Sequence, residues 1–248
     1  MIDRTETVIL SGGRPTHGEL AGVVVLESPA PRIPGDLGHA GTFGFPVRYG
    51  VPRGFPFADL VAGDPSRLGL VIETIRELVA AGARFVVADC GFFSVFHREI
   101  SAAVTVPFLS SSLLLIPLIE RWLPAGKQVG VLTGHAGLLH QRHLEPVGAD
   151  LGRLAVAGME SEPEFSRVVL GGEQELHPGR MRADTMRAAE RLCREHPDVG
   201  AIVLECTNLI TYRSDVQRAT GRPVYDALSL VELAASGFRF RDFAPEYL

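Results

Sequence analysis

Two of the three cysteines stand at matching places in an internal repeat. FVVADCGFFSVFHREISAAVTVP (85–107) lies on AIVLECTNLITYRSDVQRATGRP (201–223) without a gap, at a constant offset of 116 residues. Cys90 falls on Cys206, Asp89 on Glu205 and Pro107 on Pro223. Phe93, Phe96, Ile100 and Ala103 fall on Leu209, Tyr212, Val216 and Ala219, whose spacing makes one helical stripe in each half. Each cysteine closes an apolar strand just where a helix begins. There the free N–H groups of the first turn favour negative charge, so the thiol pKa is expected to fall toward the working range. One cysteine closing an apolar strand is ordinary packing; two at matched positions point to chemistry. Opposed across one cleft, one thiolate would take a proton from a carbon while the other thiol delivers one to its opposite face. The neighbouring N–H groups would hold a carboxylate and the enolate-like charge that develops on it. Asp89 and Glu205 either point away from the cysteines by strand alternation, into a hydrogen-bond network under the site, or line the cleft themselves if the strands end early. Cys193 has no counterpart in the first half and reads as a filler on a helix.

These residues need a scaffold, and the rest of the chain supplies one. AGVVVLE (21–27), ARFVVADC (83–90), VPFLS (106–110), QVGVLTG (128–134), GAIVLEC (200–206) and RPVYD (222–226) read as buried strands. Between them, 66–82 carries a helical stripe at Leu68, Ile72, Ile75 and Val79, and 183–196 is similar. Alternation of this kind defines the α/β class, with parallel sheets covered by helices. Ligands in such folds bind beyond the carboxyl ends of the strands. The stretch 28–56 is dense in Gly and Pro and reads as a long functional loop or irregular wrapping. The first 20 residues suggest an extended arm.

Composition narrows the function. The 248 residues carry 24 Lys+Arg against 29 Asp+Glu, a net charge of −5, which disfavours nucleic acid or an anionic membrane as partner. The longest apolar run, LLLIPLI (113–119), is far short of the roughly 20 residues of a membrane helix. With no secretory signal visible and free thiols, a cytoplasmic protein is expected. No CxxC or HExxH spacing marks a metal site, and no GxGxxG, P-loop or G-x-S-x-G is present. SGG at 11–13 reads as a turn, and the pair His140 and His143 as a solvated face.

The two Cys-bearing repeats and the segment from AGVVVLE through VYDALSLVELAA resemble the aspartate/glutamate/hydantoin racemase superfamily, which includes arylmalonate decarboxylase and maleate isomerase. The resemblance implies two Rossmann-like α/β/α domains related by a pseudo-twofold axis, with the active site in the cleft between them. Domain one would comprise 1–112 plus 227–248, and domain two 113–226, with the segment 228–237 returning as a helix onto the first. No metal or organic cofactor is implied, and a homodimer is the assembly it suggests.

Carried over residue by residue, Cys90 and Cys206 are the catalytic pair, and Thr207 helps bind the substrate carboxylate. Asn208 stands where relatives often carry His or Glu. Amino-acid racemases show Cys-Asn-Thr in the first half, whereas Cys90 precedes Gly91, Phe92 and Phe93. Glutamate or aspartate as substrate is therefore in doubt. Gly91 still offers an N–H, and the phenylalanines form either an apolar wall or core. Thr133, Ser110 and Ser111 lie at strand ends on the ligand side. Arg32 is either a bidentate carboxylate ligand or the ion-pair partner of Asp36. The expected activity is a cofactor-independent racemase or epimerase acting on a small carboxylate, such as an amino acid or hydantoin. The alternatives are a decarboxylase or cis–trans isomerase of a small dicarboxylic acid, or a binding protein without chemistry.

Overall fold

The computed structural model describes residues 12–239, so most of the expected N-terminal arm lies outside the described residues; 12–20 carry neither strand nor helix. Among the described residues, eight strands form two four-stranded, wholly parallel sheets. The first contains β1 (Ala21–Val24), β2 (Val47–Gly50), β3 (Phe85–Ala88) and β4 (Phe108–Leu109) in the order β2-β1-β3-β4. The second contains β5 (Gln128–Thr133), β6 (Ala155–Gly158), β7 (Val199–Leu204) and β8 (Val224–Tyr225) in the order β6-β5-β7-β8. The sheets are thus two copies of one topology, as the repeat required.

The repeat persists down to single hydrogen bonds. Val86 N–H donates to Pro107 O and Ile202 N–H to Pro223 O, both at 2.9 Å. Asp89 N–H donates to Val24 O and Glu205 N–H to Leu132 O, again at 2.9 Å. After each sulfur comes a 3₁₀ turn, Gly91–Phe96 and Thr207–Tyr212, and then a short helix. The stripe residues Phe93, Ile100, Leu209 and Val216 are completely buried, which is why this spacing recurs in both halves.

The helices are α1 (Phe57–Ala62), α2 (Leu68–Ala81), α3 (His97–Ala103), α4 (Ile116–Trp122), α5 (Gln141–Leu144), α6 (Pro163–Phe165), α7 (Pro178–Glu195), α8 (Arg213–Thr220) and α9 (Ala227–Ser236). In α2 the buried positions are Leu68, Val71, Ile75 and Leu78, so the inward stripe is rotated by one residue from the expected set at two places. Gly82, at φ +119°, ends that helix in the left-handed region with its N–H on Leu78 O and Val79 O. The last helix, α9, buries Ala227, Leu230, Val231 and Ala235 in the core that also holds Ala21, Val87 and Ile116. That core runs on to Val129, Val131 and Val203 of the second sheet, whose other face packs against α7 through Leu132, Ile202, Ala188 and Leu192. No described helix is long and apolar enough to cross a membrane.

Two strands depart from the sequence reading. β2 lies inside the Gly/Pro-dense stretch 28–56, as an edge strand paired to β1 from Ala21↔Val47 to Val24↔Gly50. An edge strand pairs on one side only, which tolerates flanking prolines and weakens its pattern. β6 is the matching edge of the second sheet, and its sequence AVAG has one β-branched residue to announce it.

The histidine pair is also different from expectation. His143 is fully buried, not solvated. Its Nδ1 accepts the His140 N–H and its Nε2 lies 3.0 Å from Leu60 O, so the imidazole is neutral with its proton on Nε2. It ties α5 to α1, beside Arg142, which donates to Ala62 O. Burial, the first cause, holds its pKa below the ordinary histidine value. A histidine depressed in the folded state contributes stability above its unfolded pKa and loses it as pH falls through the folded value. The loss of urea resistance on acidification from pH 7.5 to 5 is therefore expected to be smaller in His143→Met than in the parent chain; an equal loss in both would remove His143 from the pH response.

Candidate active site

Cys90 and Cys206 cap the two 3₁₀ turns in extended backbone, and the strand ends that carry them brace each other across the two halves. Thr207 Oγ1 donates to the backbone oxygen of Asp89, and Ser112 Oγ donates to Leu204 O at 2.8 Å. In the converse direction Gly91 lies against Glu205. A Cβ on Gly91 would overlap the Glu205 carboxylate and stand 2.7 Å from its backbone oxygen. Gly91 is therefore required by close approach, and Gly91→Ala is expected to cost about 1–3 kcal/mol in chemical unfolding; an unchanged midpoint would contradict this packing.

The acids that precede the two cysteines are both buried. Glu205 accepts from Thr133 Oγ1 at 2.7 Å and from the Gly134 N–H, yet burial raises its pKa to about 7. Asp89 accepts from the Leu26 N–H at 3.0 Å and from Arg32 Nη2 at 2.7 Å, and burial raises it to about 6 despite the guanidinium. Both carboxylates are thus buried and hydrogen-bonded, but β3 and β7 end at Ala88 and Leu204, one residue before them, so strand alternation does not set where they point.

Arg32 belongs to that network. Its Nη1 donates to Asp36 Oδ1 at 2.9 Å and its Nη2 to Asp89, so both carboxylates share one cation. From Asp36 the chain of contacts crosses to the second half. Asn208 Nδ2 donates to Asp36 Oδ2 at 2.8 Å, and the Cys206 thiol donates to Asn208 Oδ1 at 3.5 Å. The segment 33–36 is held there by Thr211, whose Oγ1 donates to Pro34 O at 2.8 Å. Gly35, at φ +107°, permits this approach, since a Cβ would strike the Thr211 backbone. The Gly/Pro-dense stretch therefore works as a strap from the first half onto the second.

Other residues singled out in the sequence have quieter places. Ser110 Oγ lies 3.0 Å from His97 Nδ1, and Ser111 caps the turn at 112–115 by accepting the Leu113 N–H. Phe92 packs edge-on against His143 and Phe57, and Phe93 stacks on Phe55, which makes both core. Two groups were not anticipated. Asp36, considered only as an ion-pair partner of Arg32, is buried at the centre of the network. Tyr49 on β2 carries a buried hydroxyl without a hydrogen-bond partner among the described residues, and burial followed by the field of Asp36 raises its pKa. A narrow, mostly apolar cleft lined by Ala30, Ile33, Val168, Leu176 and Met181 adjoins Asn208.

The thiols correct one expectation. Both pKa values are raised, not lowered. Burial is the first cause in each, followed by the field of Glu205. The Phe92 N–H acts against this at Cys90 and the Asn208 N–H at Cys206, but more weakly. Each turn is only six residues of 3₁₀ helix, too short an array of dipoles to outweigh desolvation beside a carboxylate. Both sulfurs rest as thiols, and Cys206 is among the groups whose charge raises Cys90.

Two parallel α/β sheets of one topology, with a cysteine at the same strand end of each, define a class of two-lobed, paired-cysteine proteins. The chain belongs to the Asp/Glu/Hydantoin racemase family, whose model matches residues 51–232. Among curated proteins it is similar to a dimethylsulfoniopropionate lyase of Durusdinium sp. clade D, 28% identical over 90% of this chain and 75% of that protein. It is similar also to dimethylsulfoniopropionate lyase 7 of Emiliania huxleyi, 28% identical over 84% of this chain and 64% of that protein. Among solved structures it shares its fold with a glutamate racemase from Bacillus anthracis (TM-score 0.57, 14% identity, 89% of this chain and 81% of that one). Unliganded arylmalonate decarboxylase shares it too (TM-score 0.54, 13% identity, 92% and 96%).

Proposed function

We propose that this chain is a carbon-acid enzyme in which Cys90 and Cys206 manage the proton on the carbon beside a substrate carboxylate. The observation that carries this reading is the pair of sulfurs on equivalent turn caps whose strand ends are interlocked. A buried thiol is a weak acid, so its thiolate, once formed against the substrate, is a strong base. Gly91 and Thr207 open the two 3₁₀ turns, and their backbone N–H groups would hold the carboxylate and the charge that enters it as the α-proton leaves.

The fate of that carbanion decides the activity, and elimination is the better supported outcome. In it the thiolate takes the α-proton and the C–H pair becomes a Cα=Cβ bond. The bond from Cβ to the leaving group breaks with its electron pair on that group. With a sulfonium at Cβ the products are a neutral sulfide and an unsaturated acid. Lyases named for such a substrate match most of this chain. The surroundings of the two sulfurs are unequal, Gly-Phe-Phe after Cys90 and Thr-Asn-Leu after Cys206, and a one-base reaction does not require them to be equal. Asp36 and Asp89 share Arg32, while Glu205 is held by Thr133 and the Gly134 N–H, so the buried acids outnumber the cation, which suits a substrate with a cationic end.

Racemisation or epimerisation is the second reading, favoured by the paired thiols themselves. Incubating the purified chain with dimethylsulfoniopropionate and measuring released dimethyl sulfide tests the first. Deuterium uptake at the stereocentre of amino acids and hydantoins in deuterated water tests the second. Sulfide release without such uptake supports elimination; uptake with loss of optical activity and no sulfide makes the chain a racemase; neither, across both panels, overturns the carbon-acid reading.

A further inference from the structure

We infer that Asp36 is a positioning residue that fixes the carboxamide of Asn208 and thereby holds Cys206 in its thiol form. The inference rests on the proposed use of Cys206 as a proton-carrying group. Its geometry is directional. A carboxylate can only accept, so the 2.8 Å contact with Asp36 Oδ2 must be made by the Nδ2 end of Asn208. That leaves Oδ1 toward Cys206 Sγ, at 3.5 Å. An amide oxygen welcomes S–H and repels a thiolate. With the amide turned over, the same position would present N–H and favour the thiolate instead.

Asp36 is well placed to hold this orientation. It is 2% exposed, and its other oxygen is fixed by Arg32 Nη1 at 2.9 Å and the Gly38 N–H at 2.6 Å. Arg32 in turn grips Asp89, the neighbour of Cys90, so the clamp on one sulfur is anchored beside the other. Cys90 has no equivalent: residue 92, the counterpart of Asn208, is a phenylalanine packed on His143. The two thiols are thereby made unequal: Cys206 is committed as proton donor and as hydrogen-bond donor to an amide oxygen, and Cys90, also a thiol at rest, has no such acceptor and is the one free to serve as base. The charged and titratable groups acting on Cys206 are Glu205 from its own strand end, Asp36 and Arg32 from the strap, and Cys90 from the facing half.

The test reads the thiol directly. In the full chain carrying Cys90→Ser and Cys193→Ser, Cys206 is the remaining thiol for alkylation by iodoacetamide. Asp36→Asn is expected to speed its alkylation at pH 7 about tenfold, moving the rate–pH profile down by about one unit. Adding Asn208→Ala to Asp36→Asn should cancel most of that gain, because no amide remains to turn. The exchange Asp36→Asn with Asn208→Asp rebuilds the donor–acceptor direction and should return the profile to or above that of the parent. An equal gain with and without Asn208 would reduce Asp36 to a distant charge and overturn the inference. So would no gain, or an exchanged pair that behaves like Asp36→Asn, and the exchanged pair reads out even if the single variant does not fold. Since alkylation needs no substrate, a chain that fails every turnover assay still decides the clamp.

Discussion

Cys90→Ala and Cys206→Ala are each expected to lower turnover of the true substrate by about 10²–10⁴-fold, the range for removal of a positioned acid or base. The unfolding midpoint should change little, since both sulfurs are half-buried and alanine keeps the strand-end backbone. How the two losses differ is as informative as their size. If the reaction is an elimination, the Cys90 variant is silenced and the Cys206 variant is impaired but active, because the thiol beside Asn208 donates without abstracting. If it is a racemisation, each variant retains exchange from one enantiomer only, since each face of the carbon answers to one sulfur. Cys193→Ala, on α7 away from both strand ends, supplies the control and is expected to leave turnover intact. Full activity in either Cys90→Ala or Cys206→Ala would end the paired-thiol reading.

The largest effect on stability is expected from Arg32→Met. Arg32 is 19% exposed and its partners Asp36 and Asp89 are 2% exposed, so its removal strands two buried carboxylates. Breaking a buried pair from one side costs about 3–5 kcal/mol, and the partial exposure of the arginine places this case near 3. The deficit should depend on pH with a definite sign. Burial already raises Asp89 to about 6 with the arginine present, and its loss raises Asp89 further. A carboxylate raised in the folded state contributes stability that is present at low pH and is lost as pH rises through the folded value. The gap between Arg32→Met and the parent should therefore be widest near pH 8 and narrow toward pH 5, as urea titrations at the two ends would read. A gap that is constant or widens in acid would show that Arg32 acts by packing alone.

Much of the architecture was legible in local patterns. A buried parallel strand must be apolar on both faces, which made β1, β3, β5 and β7 stand out as short β-branched runs. The stripe from Phe93 to Ile100 and its copy from Leu209 to Val216 face cores of the same shape, so equal spacing survived with almost no identity. The edge strands β2 and β6 were missed because an edge needs less apolar residue on fewer sides. His143 was misplaced because spacing shows that two histidines share a face but not whether another helix, here α1, covers it.

At the site the division falls elsewhere. Residue order alone determined that two cysteines follow equivalent strands and that an acid precedes each; β3 and β7 end at Ala88 and Leu204, one residue before those acids, so their direction was left to the fold. Only the tertiary structure decided the strength of those thiols, because burial and the field of Glu205 depend on what the fold excludes and brings near, and they outweigh the turn N–H groups. It decided also that Asp36, more than a hundred residues from Asn208, directs the amide against Cys206. A hydrogen bond between distant segments has no periodicity to betray it; it exists once the strap from the first half is laid on the second.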